Sequence, residues 1–181
     1  MADTGVTTPS KVRAAAAAVE PASPAGEPYW DLIELLFFAY RDFVGDADRL
    51  LEAFGFGRAH HRVLHFVYRQ PGLTIAGLLE ILRITKQSLN RVLKELIAEG
   101  FIEARAGEAD RRHRQLYATE RGARLARDLA LVQTRRFTRA MAQLGPDGRD
   151  RASDFLIAVI DPSERDRVLD LIAAAKSEAP R

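Results

Sequence analysis

Between Lys86 and Glu99 the chain interleaves two kinds of residue. Lys86, Gln87, Ser88, Asn90, Arg91 and Lys94 carry ammonium, guanidinium, amide and hydroxyl groups. Ammonium and guanidinium groups match phosphate oxygens, and Asn and Gln amides match the paired donor and acceptor on a base edge in the major groove. Leu89, Val92, Leu93, Leu96 and Ile97 recur at helical spacing and form one apolar stripe. A helix of this pattern packs on one side and offers polar groups on the other. A second concentration of charge lies just downstream. From Arg105 to Arg127 there are seven arginines (Arg105, Arg111, Arg112, Arg114, Arg121, Arg124 and Arg127), opposed by Glu108, Asp110 and Glu120. The chemistry implied is recognition of double-stranded DNA.

Bond-breaking chemistry finds little in the sequence. There is no Gly-rich phosphate loop, no nucleophile elbow and no His-Glu-x-x-His arrangement. The nearest carboxylate–histidine neighbours fall in the polar run Gly107–His113, an exposed place unsuited to pKa tuning. We expect no enzyme activity and no cofactor. His61 and His65 stand four residues apart, with His60 beside them, which invites a metal reading. The chain has no cysteine and that segment few carboxylates, so packing or hydrogen bonding is the preferred role and no metal is expected. For Lys86, Arg91 and Lys94 the plain alternative is a solvated helix face. The neighbouring corner, the Gln87, Ser88 and Asn90 set and the arginine-rich segment favour DNA contact.

The elements that position these groups follow from local signals. Pro71-Gly72 makes a turn, Leu73–Leu82 reads as a helix, Arg83-Ile84-Thr85 as a tight corner, and Lys86–Glu99 as a second helix ended by Gly100. Phe101–Ala106 and Arg114–Ala118 are β-compatible and enclose the loop 107–113, a hairpin or wing. Thr119 caps a further helix to about Leu144, broken by Gly145-Pro146. Two more helices, about Arg149–Ile160 and Ser163–Lys176, flank Asp161-Pro162. Upstream, an apolar helical pattern starts at Tyr29-Trp30 and reaches Ala53, and another covers Arg58–Tyr68. The fold class is mainly α with a small β-hairpin wing.

The 181 residues carry a formal net charge of only +2, so the distribution of charge, not its sum, carries the argument. No apolar run is long enough for a membrane span, and no signal peptide is legible; a soluble, cytoplasmic protein is expected. The expected organisation is a disordered Ala- and Pro-rich tail (1–28), a first helix (29–54), a helix-turn-helix lobe with a wing (55–122), a linker helix with two terminal helices (123–176), and a short tail (177–181).

The segment Asp110-Arg111-Arg112-His113-Arg114-Gln115-Leu116-Tyr117-Ala118-Thr119-Glu120-Arg121-Gly122 resembles the wing signature of the MarR family of winged helix-turn-helix regulators. The family's usual Leu before the Thr is Ala118 here. The resemblance covers Phe54 to about Leu129 and implies a short strand at Leu73-Thr74 pairing with the wing. It implies that Arg112, steadied by Asp110, enters the minor groove while Lys86–Glu99 enters the adjacent major groove. Arg111 and Arg114 flank the wing tip, and alternation along the hairpin sends neighbours to opposite sides. The resemblance further implies a twofold homodimer through the first and last helices, a pseudo-palindromic operator, and repression relieved by a small aromatic effector. Tyr29, Trp30, Phe37, Tyr40, His61 and His65 are candidate effector-lining residues, although aromatics at helical spacing more often serve the core. The alternatives are a winged-helix module for protein interaction, or an architectural DNA binder without effector.

Overall fold

The structure, a computed structural model, describes residues 26–106 and 114–177 and divides after Arg41 into two compact units, 1–41 and 42–181. The first unit is described from Gly26 and contains the start of helix α1 (Trp30–Glu52). Its apolar side chains are open to solvent: Trp30, Leu35, Phe37, Phe38 and Tyr40 are 55% to 67% exposed.

The second unit begins within α1 and continues through α2 (Arg58–Arg69), β1 (Leu73–Thr74), α3 (Ile75–Leu82) and α4 (Lys86–Ala98). It goes on through β2 (Ile102–Ala106), β3 (Arg114–Ala118), α5 (Glu120–Leu144), α6 (Gly148–Val159) and α7 (Pro162–Ser177). Val63, Leu64 and Val67 of α2, Leu78 and Leu82 of α3, and Leu89, Val92, Leu93 and Leu96 of α4 close one core. Phe101, Ile102 and Leu116 of the sheet join it, as do Ala47 and Leu51 of α1 and Leu125, Ala126 and Leu129 of α5. Burial of these side chains is the main force setting α4 in place.

The strands form a three-stranded antiparallel sheet in the order β1-β3-β2. Leu73 stands opposite Leu116, and Ile102 opposite Ala118. Leu73-Thr74 thus pairs with the wing strand, as the resemblance implied. Residues 107–113, expected to form the wing loop, lie outside the described residues, and with them Asp110, Arg111 and Arg112.

Three threonines start helices in the same way. Thr74, Thr85 and Thr119 each accept a hydrogen bond from the backbone N–H three residues on, at 3.1, 3.2 and 3.1 Å. Each satisfies one of the orphan donors of a helix start. Between α3 and α4, Arg83 takes the left-handed conformation (φ 50°) and its N–H donates to the Leu79 carbonyl at 2.9 Å. That single reversal makes the corner of the helix-turn-helix.

Candidate nucleic-acid interface

Helix α4 separates its apolar and polar residues as its sequence requires. Leu89, Val92, Leu93 and Leu96 are buried, whereas Lys86, Gln87, Ser88, Asn90, Arg91 and Lys94 are all exposed. The structure corrects the apolar stripe at one end: Ile97 is 38% exposed. At 3.6 residues per turn it lies roughly 80° from Leu89, at the edge of the buried face.

The start of α4 is fixed by Thr85, whose hydroxyl also donates to Ser88 Oγ at 2.9 Å. Its end is fixed by Gly100, in the left-handed region (φ 71°), and by the Phe101 N–H donating to the Leu96 carbonyl at 2.8 Å. Arg121 of α5 adds a charged cap there, its guanidinium donating to the Glu99 carbonyl at 2.7 Å while lying 4.2 Å from the Phe101 ring centre. A cation at this end also meets the negative pole of the helix.

On the wing, Arg114 opens β3 and is exposed. Arg105, opposite Gln115 on β2, lies 4.4 Å over the Tyr117 ring and is tied to Glu103, and the Tyr117 hydroxyl donates to Gln115 Oε1 at 3.0 Å. Exposed α4 and the base of the wing thus present cationic and amide groups around one core. Sequence reasoning counted Arg105 and Arg121 in the basic run and gave neither a role. Arg121's place, one residue before Gly122 in the first turn of α5, is the signal that was available for its capping.

Two of the six residues expected to line an effector site share a cavity. His61 and His65 line a cavity of 180 Å³ with Phe43, Arg62, Phe66 and Gln133, at the meeting of α1, α2 and α5. Tyr29, Trp30, Phe37 and Tyr40 are exposed residues of the first unit. The two imidazoles stand edge to face, 6.4 Å apart. Burial pushes His61 below the ordinary histidine range, with Asp48 acting in the opposite direction. Burial, with His61 and Arg69 adding to it, brings His65 down to about 4. Both rings are therefore neutral near pH 7 and offer one N–H and one lone pair each. A larger cavity, 340 Å³, lies where Phe66 and Ile81 face Ile160, Val168 and Leu171, and its rim carries the ion pairs Arg83–Glu164 and Glu80–Arg167. Among the described residues no three His, Asp or Glu side chains gather to hold a metal, and no helix is long and apolar enough to cross a membrane.

A helix-turn-helix followed by a two-stranded wing, with a polar, cationic second helix, defines the winged-helix class of DNA-binding proteins. The comparisons agree and narrow it. The MarR family model matches residues 54–113. The HTH-type transcriptional regulator PetP of Rhodobacter capsulatus is 47% identical over 133 residues, 74% of this chain and 80% of that protein. In fold the chain is similar to a mutant MepR from a multidrug-resistant Staphylococcus aureus clinical isolate, with a TM-score of 0.63 at 18% identity over 74% of this chain and 97% of the other. It is also similar to a MarR family protein of Mycobacterium tuberculosis in complex with p-aminosalicylic acid, with a TM-score of 0.53 at 21% identity over 75% and 100%. The chain belongs to the MarR family of DNA-binding transcriptional regulators.

Proposed function

We propose that the protein binds a pseudo-palindromic operator as a homodimer in the cytoplasm, with α4 of each protomer in the major groove and the wing in the flanking minor groove. The carrying observation is the exposure of the whole polar row of α4 above the buried Leu89, Val92, Leu93 and Leu96. Lys86, Arg91 and Lys94 serve the phosphates, Gln87, Ser88 and Asn90 the base edges, and Arg112, with Asp110, Arg111 and Arg114 around it, the minor groove. Two such helices related by a twofold axis would read half-sites about 34–36 Å apart.

Exposed apolar residues supply a surface for the second copy. Beside those of the first unit, Phe155, Leu156 and Val159 of α6 and Ile172 of α7 are 47% to 58% exposed. So much open aliphatic and aromatic surface is unusual for a monomer. The expected division into a tail, a dimer helix, a winged lobe and terminal dimer helices follows from this reading.

The effector we infer is a small aromatic molecule that releases DNA, making the protein a repressor. The cavity beside His61 and His65 is of the size that holds one aromatic ring, and a MarR family protein of similar fold is known in complex with p-aminosalicylic acid. A ligand there would change the spacing of the two recognition helices by population shift.

The test is selection of bound sequences from a random duplex pool at near-physiological salt, which suppresses binding through phosphates alone. An enriched inverted repeat supports the reading, and Arg112→Ala is expected to bind it more weakly, with the loss in the flanking minor groove. Wild-type affinity in that variant overturns the wing's role. Binding without enrichment makes the protein an architectural binder, and no binding makes it a protein-interaction module.

A further inference from the structure

On helix α4, Arg91 and Glu95 are four residues apart, the spacing at which opposite charges pair along a helix. They do not pair here. The Glu95 carboxylate is held at 2.6 Å by His60 of α2, and Arg91 has no ion pair among the described residues. His60 is itself fixed on two sides. Its ring stacks on Phe56 at 4.6 Å, and its Nδ1 accepts the Gly57 N–H at 3.1 Å. With Nδ1 accepting, Nε2 carries the hydrogen and donates to Glu95 Oε2. The imidazole is nearly covered, its side chain 12% exposed, whereas Glu95 is 47% exposed and shares the outer stripe of α4 with Ser88 and Arg91.

We propose that His60 is a positioning residue for DNA binding: it holds the Glu95 carboxylate away from Arg91 and so leaves the guanidinium unneutralised for phosphate. This rests on the reading that α4 contacts DNA. Without the His60 N–H, Glu95 is free to turn one helical turn back onto Arg91. Each protomer then loses one cationic contact without any change to a residue that touches DNA. An anionic carboxylate remains close to the phosphates as well.

The experiment uses the full chain and duplex DNA of mixed sequence, with affinity measured at 50 and 200 mM salt. His60→Asn places an amide oxygen where Nδ1 accepts from Gly57 and removes the reach to Glu95, so the start of α2 is kept. One phosphate contact accounts for about a threefold change in affinity over that salt range. His60→Asn is therefore expected to bind severalfold more weakly at 50 mM and to lose about threefold of salt sensitivity per protomer. His60→Gln, whose amide N–H reaches the position of Nε2, is expected to bind as wild type. The double variant His60→Asn/Glu95→Gln is expected to recover wild-type affinity, because no carboxylate remains to occupy Arg91. If the double variant binds as weakly as His60→Asn, or if His60→Asn binds as wild type, the proposal is overturned. Arg91→Ala separates the two claims: wild-type binding in that variant refutes the role of α4, whereas weakened binding with an unaffected His60→Asn refutes only the role of His60.

Discussion

Gly122 offers the sharpest structural prediction, because its environment has no room for a methyl group. A Cβ at this position would lie 2.0 Å from the Phe101 carbonyl oxygen and 2.9 Å from its carbon. Non-bonded atoms do not approach that closely, so the first turn of α5 and the Gly100-Phe101 corner must separate by roughly 1 Å or more. Thr119 holds that seam with two hydrogen bonds. Its N–H donates to the Phe101 carbonyl at 3.1 Å and its hydroxyl to the Gly100 carbonyl at 2.7 Å, while the same hydroxyl accepts the Gly122 N–H at 3.1 Å within α5. Overpacking costs about 1–3 kcal/mol, and each weakened hydrogen bond about 1 kcal/mol. Gly122→Ala is therefore expected to lose about 3–4 kcal/mol, a fall in Tm of roughly 10 °C for a chain of this size. The internal control is Gly45→Ala. Gly45 is helical in α1, and the nearest atom its added Cβ would meet is on the Arg49 side chain, one turn on, at 3.9 Å. That substitution is expected to stabilise by about 0.5–1 kcal/mol. Thermal unfolding followed by far-ultraviolet circular dichroism reads both. A Gly122→Ala protein melting within about 2 °C of wild type would refute the close-approach argument.

Two further outcomes follow from the same geometry. Thr85→Ala removes the acceptor for the Ser88 N–H at the start of α4, and urea unfolding is expected to show a loss of about 1 kcal/mol, with Thr85→Ser close to wild type. His65 sets a pH dependence: its folded pKa, about 4, is below the ordinary 6.5, so the unfolded chain takes up the proton first as pH falls. That contribution is intact above pH 6.5 and is lost progressively between 6.5 and 4. His65→Gln is expected to flatten the decline of Tm over that interval; an unchanged slope would show that another group sets it.

How far the sequence could be read depended on how local the determinants are. The helix-turn-helix was legible because α4 carries its buried apolar stripe and its exposed polar row in one 3.6-residue period, with Thr85 before it and Gly100 after it. Arg114–Ala118 was legible as a strand because polar punctuation ends at residue 113 and Thr119 begins the next helix. Ile97 was misplaced because period alone does not tell how wide a buried face is; that width depends on what packs against it. The cavity that joins Phe43, His61, His65 and Gln133 was not legible, because three helices far apart in sequence supply its lining.

The His60–Glu95 pair marks the limit most clearly. Thirty-five residues separate the partners, and neither belongs to a local motif that would announce the other. What brings them together is the shared core, in which Val63, Leu64 and Val67 of α2 are buried with Leu89, Val92 and Leu96 of α4. Apolar burial fixes how α4 sits on α2, and that fixed placement decides which polar group on α4 is held back and which is left open. On the reading proposed above, the binding face is specified twice. The residues on the helix surface supply the chemistry, and the packing beneath them decides which of those charges stay unpaired.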